Sequence, residues 1–223
     1  NINATFTGVP HNGNIPFTIS RGSYTGVPYN GTNGIQITNI NDNYNLIGNP
    51  YPSAIDAEEF LAANTYHATT NPTGVIYGNV KLWTHGYQPA AIVNPFYGSF
   101  AYNYNANDYV TLNYLGASDP IGASNIIKSG QAFFVQMVDG TTGTGNVNFS
   151  NSMRLDASNN PYNNSGFFRN SNTPLERHRI WLDLIDSNNI VSGTLVGYAT
   201  DATNDFDTFF DAQSGVPGFM KMY

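Results

Sequence analysis

With 223 residues, no cysteine and a formal net charge of -7, the chain is long enough to bury a real core, has no disulfide, thiolate metal site or cysteine nucleophile, and lacks the excess of Lys and Arg that holds a phosphate backbone, which argues against nucleic acid as a partner. Charged residues make up only 10%, against an ordinary level of about 25%; Asn, Gly, Ser and Thr take their place, and 15 Tyr with 14 Phe suit cross-strand aromatic pairs rather than a helical bundle. No run approaches the roughly 18 apolar residues of a spanning helix, and the start at Asn1 carries no basic-then-apolar leader, so the expectation is no direct membrane span and a gene that adds a signal sequence before Asn1.

In chain order, the first alternating segment is Gly34–Ile40. Tyr44–Gly48 follows, with Leu46 and Ile47 suited to a buried strand, and Pro50 and Pro52 then fix two φ angles and remove two donors, so the ladder must end there. Ser53 is a good N-cap, and Asp56 three residues on completes an S-x-x-D capping box. Asp56, Glu58 and Glu59 place negative charge in the first turn, where the helix dipole favours it. The predicted helix spans 53–63 and ends near Asn64, with Ala57, Phe60 and Leu61 on the face that meets a sheet. Its acidic residues read as capping and solvated surface rather than catalysis.

Val75–Trp83 carries strand residues on both sides of Gly78-Asn79, where a hairpin is expected. Phe96–Tyr104 and Asp108–Leu115 both alternate, and Ala132–Val138 is apolar on both faces apart from Gln136, which predicts a central strand. Asp139–Gly145 reads as a turn, and Val147–Phe149 resumes the alternation. The predicted organisation is a β-rich domain over 1–155, a loop or linker over 156–175 rich in Asn, Ser and Pro, and a second β unit over 176–223. That unit has two strands, Arg179–Ile185 and Thr194–Thr200, and is too short to fold alone. The fold class is all-β, a β-sandwich or jelly-roll-like domain with one short helix, followed by the start of a second β unit.

Residues that could carry chemistry are sparse. His11, His67, His85 and His178 form no HExxH and no i, i+4 pair, so a zinc site would need distant loops to converge. No G-x-S-x-G elbow or phosphate-cradling loop is present, and the carboxylate chemistry that remains is a glycosidase pair built from aspartates. The acidic turn holding Asp201, Asp205, Asp207 and Asp211 clusters hard oxygen ligands of the kind calcium takes. The competing reading is an Asx-rich turn whose carboxylates bond their own backbone. Trp83, Tyr87, Tyr97, Tyr102 and Tyr104, set among Asn and Asp, have the composition of a glycan-stacking surface, although alternation serves a core strand equally well.

Several blocks follow one another along the chain: Asn45-Leu-Ile-Gly-Asn-Pro-Tyr-Pro-Ser-Ala-Ile-Asp56, Leu82-Trp-Thr-His85, Tyr104-Asn-Ala-Asn-Asp-Tyr109, Ile127-Lys-Ser-Gly-Gln-Ala-Phe-Phe-Val135, Phe149-Ser-Asn-Ser-Met-Arg154, Glu176-Arg-His-Arg-Ile-Trp-Leu182, and Leu195-Val-Gly-Tyr198 followed by Ala202-Thr-Asn-Asp-Phe-Asp207. As a series they resemble the module that precedes the C-terminal sorting domain in cargo surface proteins of the type IX secretion system of Bacteroidota. The resemblance implies a secreted, β-rich protein at the cell surface, with the export machinery as a partner through a C-terminal region beyond Tyr223, and further β structure there. It implies no enzymatic activity and no cofactor. The expected role is a non-enzymatic structural or adhesive module, with surface glycans or other surface proteins as ligands; the alternative is a carbohydrate-binding module or an accessory domain of a secreted polysaccharide-degrading enzyme.

Overall fold

Short alternating segments separated by Gly, Pro and Asn give a chain of brief strands, and the computed structural model describes residues 5, 7–22, 27–30, 36–37, 43–83, 109–118, 125–139, 143–160, 177–185, 187, 191–199 and 202–212. In order these form β1 (Ile15–Ser20), β2 (Tyr29–Asn30), β3 (Gln36–Ile37), β4 (Tyr44–Gly48), β5 (Ile55–Asp56), α1 (Ala57–Asn64), β6 (Ile76–Trp83), β7 (Tyr109–Asn113), β8 (Gly116–Ala117), β9 (Ile126–Ile127), β10 (Ala132–Met137), β11 (Thr144–Phe149), β12 (Arg177–Ile185) and β13 (Val191–Ala199). The fold is mostly β with one short helix, built from several antiparallel sheets; among the described residues no barrel closes. The largest sheet has five strands in the order β4-β10-β6-β7-β8, and β1-β11, β12-β13, β2-β3 and β5-β9 pair separately.

β10 lies between β4 and β6, as expected of a segment apolar on both faces. One face of the large sheet supplies Ile47, Phe133, Val135, Val80, Leu82 and Leu112 to the core. Val147 and Phe149 of β11 and Ile19 of β1 join the same cluster, together with Ala57, Phe60 and Leu61 of α1. The Phe60 ring meets Phe133 at 5.3 Å and Phe149 at 5.1 Å between centroids, so one helical side chain keys the large sheet to the β1-β11 pair.

Three local expectations are corrected. Leu46 is not buried beside Ile47: successive strand residues point to opposite faces, and Leu46 is 59% exposed whereas Ile47 is 3% exposed. Gly78-Asn79 is not a hairpin turn, because β6 runs through it without interruption. Glycine is needed there for close approach instead, since a Cβ on Gly78 would overlap the backbone carbonyl of Thr208. Ser53 does not cap the helix. Ile55 and Asp56 pair with β9 first, and the Ala57 N–H donates to the Asn125 carbonyl at 2.8 Å. The helix therefore starts later, with Asp56 as N-cap accepting from the Glu58 N–H at 2.8 Å.

These contacts rank the effects of substitution around α1. Phe60→Ala should lower unfolding free energy in urea by about 3–5 kcal/mol, and Asp56→Ala by about 1 kcal/mol through loss of the cap. A Phe60→Ala variant no less stable than Asp56→Ala would show that the helix does not key the two sheets.

Candidate functional site

The corner after β4 draws more side chains together than its length suggests. Pro50 and Pro52 end the ladder, and the carbonyls left in the surrounding turns need donors. Buried Asn49 supplies them: its Nδ2 donates to the carbonyls of Ser53 (2.8 Å), Ile127 (3.2 Å) and Lys128 (3.2 Å), while its Oδ1 accepts from the Tyr51 N–H at 3.0 Å. Tyr51 Oη donates to the Gly13 carbonyl at 2.6 Å. The Arg154 guanidinium lies over the Tyr51 ring at 5.3 Å and donates from Nε to Ser53 Oγ at 3.0 Å, so Ser53 serves as an acceptor for Arg154.

The face of the large sheet opposite the core holds the aromatic and titratable groups. Trp83 pairs across the strands with Tyr109, Lys81 with Thr111 and Phe134, and Tyr44 with Gln136. Edge-to-face contacts run from Trp83 to Tyr109 (4.8 Å), Tyr109 to Phe134 (5.8 Å) and Phe134 to Tyr44 (6.4 Å), the geometry favoured by aromatic quadrupoles. Trp83, at the end of this row, is 37% exposed. Tyr87, Tyr97, Tyr102 and Tyr104, nominated with it as glycan-stacking residues, lie outside the described residues, as do the predicted strand Phe96–Tyr104 and His85.

Lys81 sits within this face at 5% exposure. Its Nζ donates to Thr111 Oγ1 at 3.1 Å and lies 5.9 Å from the Tyr44 ring centroid. Burial disfavours the ammonium and lowers its pKa to about 8. Burial also pushes the Tyr44 phenol well above its ordinary value, and Tyr44 Oη finds no hydrogen-bond partner among the described residues. Neither group was nominated from the sequence. The available signal was a lysine at a strand position flanked by Val80 and Leu82, a pattern that ordinarily marks a solvated face.

The acidic turn folds back on the sheet. Phe209 packs on Tyr114 (5.3 Å) and His67 (5.4 Å), Phe206 on Tyr77 (6.0 Å), and Asn113 Nδ2 donates to the Phe210 carbonyl. Within the turn, Asp207 accepts from the Thr203 N–H and hydroxyl, and Asp211 accepts from the Asp207 N–H at 2.7 Å. Donors already aimed at these oxygens compete with a cation for them. Asp205 is exposed and offers its backbone N–H and carbonyl to Thr203; Asp201 lies outside the described residues. Among the described residues no group of three His, Asp or Glu side chains gathers around a common point, and His67 Nδ1 accepts from the Thr69 and Thr70 N–H groups at 3.3 and 3.1 Å.

The Lys81 shift fixes a pH dependence. Between about 8, its folded value, and roughly 10.4, its ordinary value, the unfolded chain binds more protons than the folded one, so stability rises with pH across that window. Below it the buried ammonium opposes folding in full. Urea unfolding should gain about 1.5 kcal/mol between pH 8 and 9.5, and Lys81→Met should remove that rise while leaving stability at pH 7 equal or higher. An identical rise in Lys81→Met would assign the titration to another group.

The family described as "Domain of unknown function (DUF8693)" matches residues 1–223. No curated protein and no solved structure matches the chain. The series of blocks around the Asn49 corner, the aromatic face and the acidic turn thus falls within a single family domain, and the chain belongs to the DUF8693 family.

Proposed function

We propose that the chain is a non-enzymatic structural or adhesive module of a secreted cell-surface protein, carried to the exterior by the type IX secretion system through a sorting region beyond Tyr223. The observation that carries this reading is the Asn49–Ser53 corner. This block, the strongest element of the resemblance, spends its polar groups within the scaffold: Asn49 donates to the carbonyls of Ser53, Ile127 and Lys128, Tyr51 donates to Gly13, and Ser53 accepts from Arg154. Its buried polar atoms are satisfied within the scaffold, so the corner serves to hold shape, and the functional reading comes from the resemblance that this block carries. The low charge and β-rich architecture agree with an extracellular structural role.

A second reading rests on Trp83, whose partly exposed indole ends a row of aromatic rings beside polar groups, the combination that stacks on sugar rings and bonds their hydroxyls. In this reading the chain is a carbohydrate-binding module or an accessory domain of a polysaccharide-degrading enzyme.

Antibodies raised against the module should label intact cells of the source bacterium and lose that labelling in a strain lacking type IX secretion. Retention of the protein in the cytoplasm of the wild-type strain would refute the first reading. Pull-down on insoluble polysaccharides that Trp83→Ala weakens by tenfold or more, about 1.4 kcal/mol, would favour the second.

A further inference from the structure

The β12-β13 hairpin presents two unlike faces. On one, Arg179 Nη1 donates to the Leu115 carbonyl at 2.9 Å and Trp181 Nε1 to the Ala117 carbonyl at 3.0 Å. Gly193 and Gly197, paired with Asp183 and Arg179, lie on this same face and let the hairpin approach Ser118 and Leu115. This face meets the β7-β8 turn through Arg179, Trp181 and the two glycines, while Ile185 at its far end is 58% exposed.

The other face is apolar and exposed. Register sets Ile180 opposite Val196, Leu182 opposite Thr194 and His178 opposite Tyr198, and Ile180, Leu182, Leu184, Val196 and Tyr198 are between 38% and 72% exposed. Their exposed surface comes to about 500 Å², toward the top of what a monomer ordinarily leaves open. Two such faces in contact would remove about 1,000 Å² from water, the size at which a specific interface becomes sustainable.

Charge selects the occupant. In a chain of net charge -7, most surfaces repel their own copy. Among the described side chains of this face there is no Asp, Glu, Lys or Arg, and the charged Arg179 and Asp183 belong to the docked side. A two-fold contact places a surface against its own image, which an uncharged apolar face meets without like-charge repulsion. A two-stranded hairpin is also marginal without a second layer, and a facing hairpin supplies one at the ordinary sheet spacing of about 10 Å.

We propose that this face is a self-association surface, through which two copies of the chain pack hairpin on hairpin using Ile180, Leu182, Leu184, Val196 and Tyr198. The inference is independent of the export reading.

Sedimentation of the full 223-residue chain over about a hundredfold range of concentration tests it. A monomer–dimer equilibrium is expected, undiminished by added salt because no charge pair holds the contact. Leu182→Glu and Tyr198→Asp should each weaken association by at least about tenfold. Tyr198 is the most exposed residue of the patch, so its substitution leaves the fold intact, as circular dichroism would verify. A chain that stays monomeric throughout overturns the proposal, as does a dimer that persists in folded Tyr198→Asp. A monomer whose hairpin face is shielded from hydroxyl-radical labelling also overturns it, since the chain's own residues would then cover the patch.

Discussion

Buried asparagine carboxamides hold this fold together where backbone ladders stop. A carboxamide offers the same donor and acceptor groups as a peptide unit, so it can satisfy a buried N–H or C=O that has no strand beside it. Asn64, at the end of α1, donates to the carbonyls of Phe60 and Asn148 and accepts from the Asn148 N–H, tying the helix end to β11. Nearer the surface, half-buried Asn45 exchanges both kinds of bond with the Ser20 backbone, which links β4 to β1 without a ladder. Asn49 does the same for the double-proline corner.

That strategy accounts for the composition. A chain with 10% charged residues cannot rely on ion-pair networks, and isolated surface pairs add only about 0–1 kcal/mol in any case. Carboxamides are neutral, need no counter-charge when buried, and give the same bonds across the pH range. Lys81 departs from this pattern, a buried amine held by Thr111 and set beside the Tyr44 ring, and it adds a pH-dependent term that a carboxamide would not.

The sequence made some of this legible. Periodicity located β4, β6, β7, β10, β11 and the two strands of the hairpin, because alternation and apolar runs register burial directly. It misplaced the helix start, since Ser53 and Asp56 are both good caps and only the β5-β9 pairing, a contact distant in sequence, decides between them. Gly78 was read as a turn because a glycine in a strand looks the same whether the chain bends there or another segment presses against it; Thr208, far along the chain, makes the difference. The roles of Asn49 and Asn64 were hidden for a similar reason: a buried asparagine and a loop asparagine have the same letter. On the aromatic face, Trp83 had been singled out from the sequence and Lys81 had not, as a strand lysine is ordinarily solvated.

Replacing Asn49 by Asp tests most directly whether carboxamides carry the fold. The side chain keeps its size but turns its Nδ2 donor into an oxygen facing the carbonyls of Ser53, Ile127 and Lys128. Urea unfolding at neutral pH should show a loss of at least about 3 kcal/mol, from three carbonyls left without their donor and a buried carboxylate set against them. A loss below about 1 kcal/mol in a variant that still folds would contradict the account and return the double-proline corner to the status of an ordinary turn.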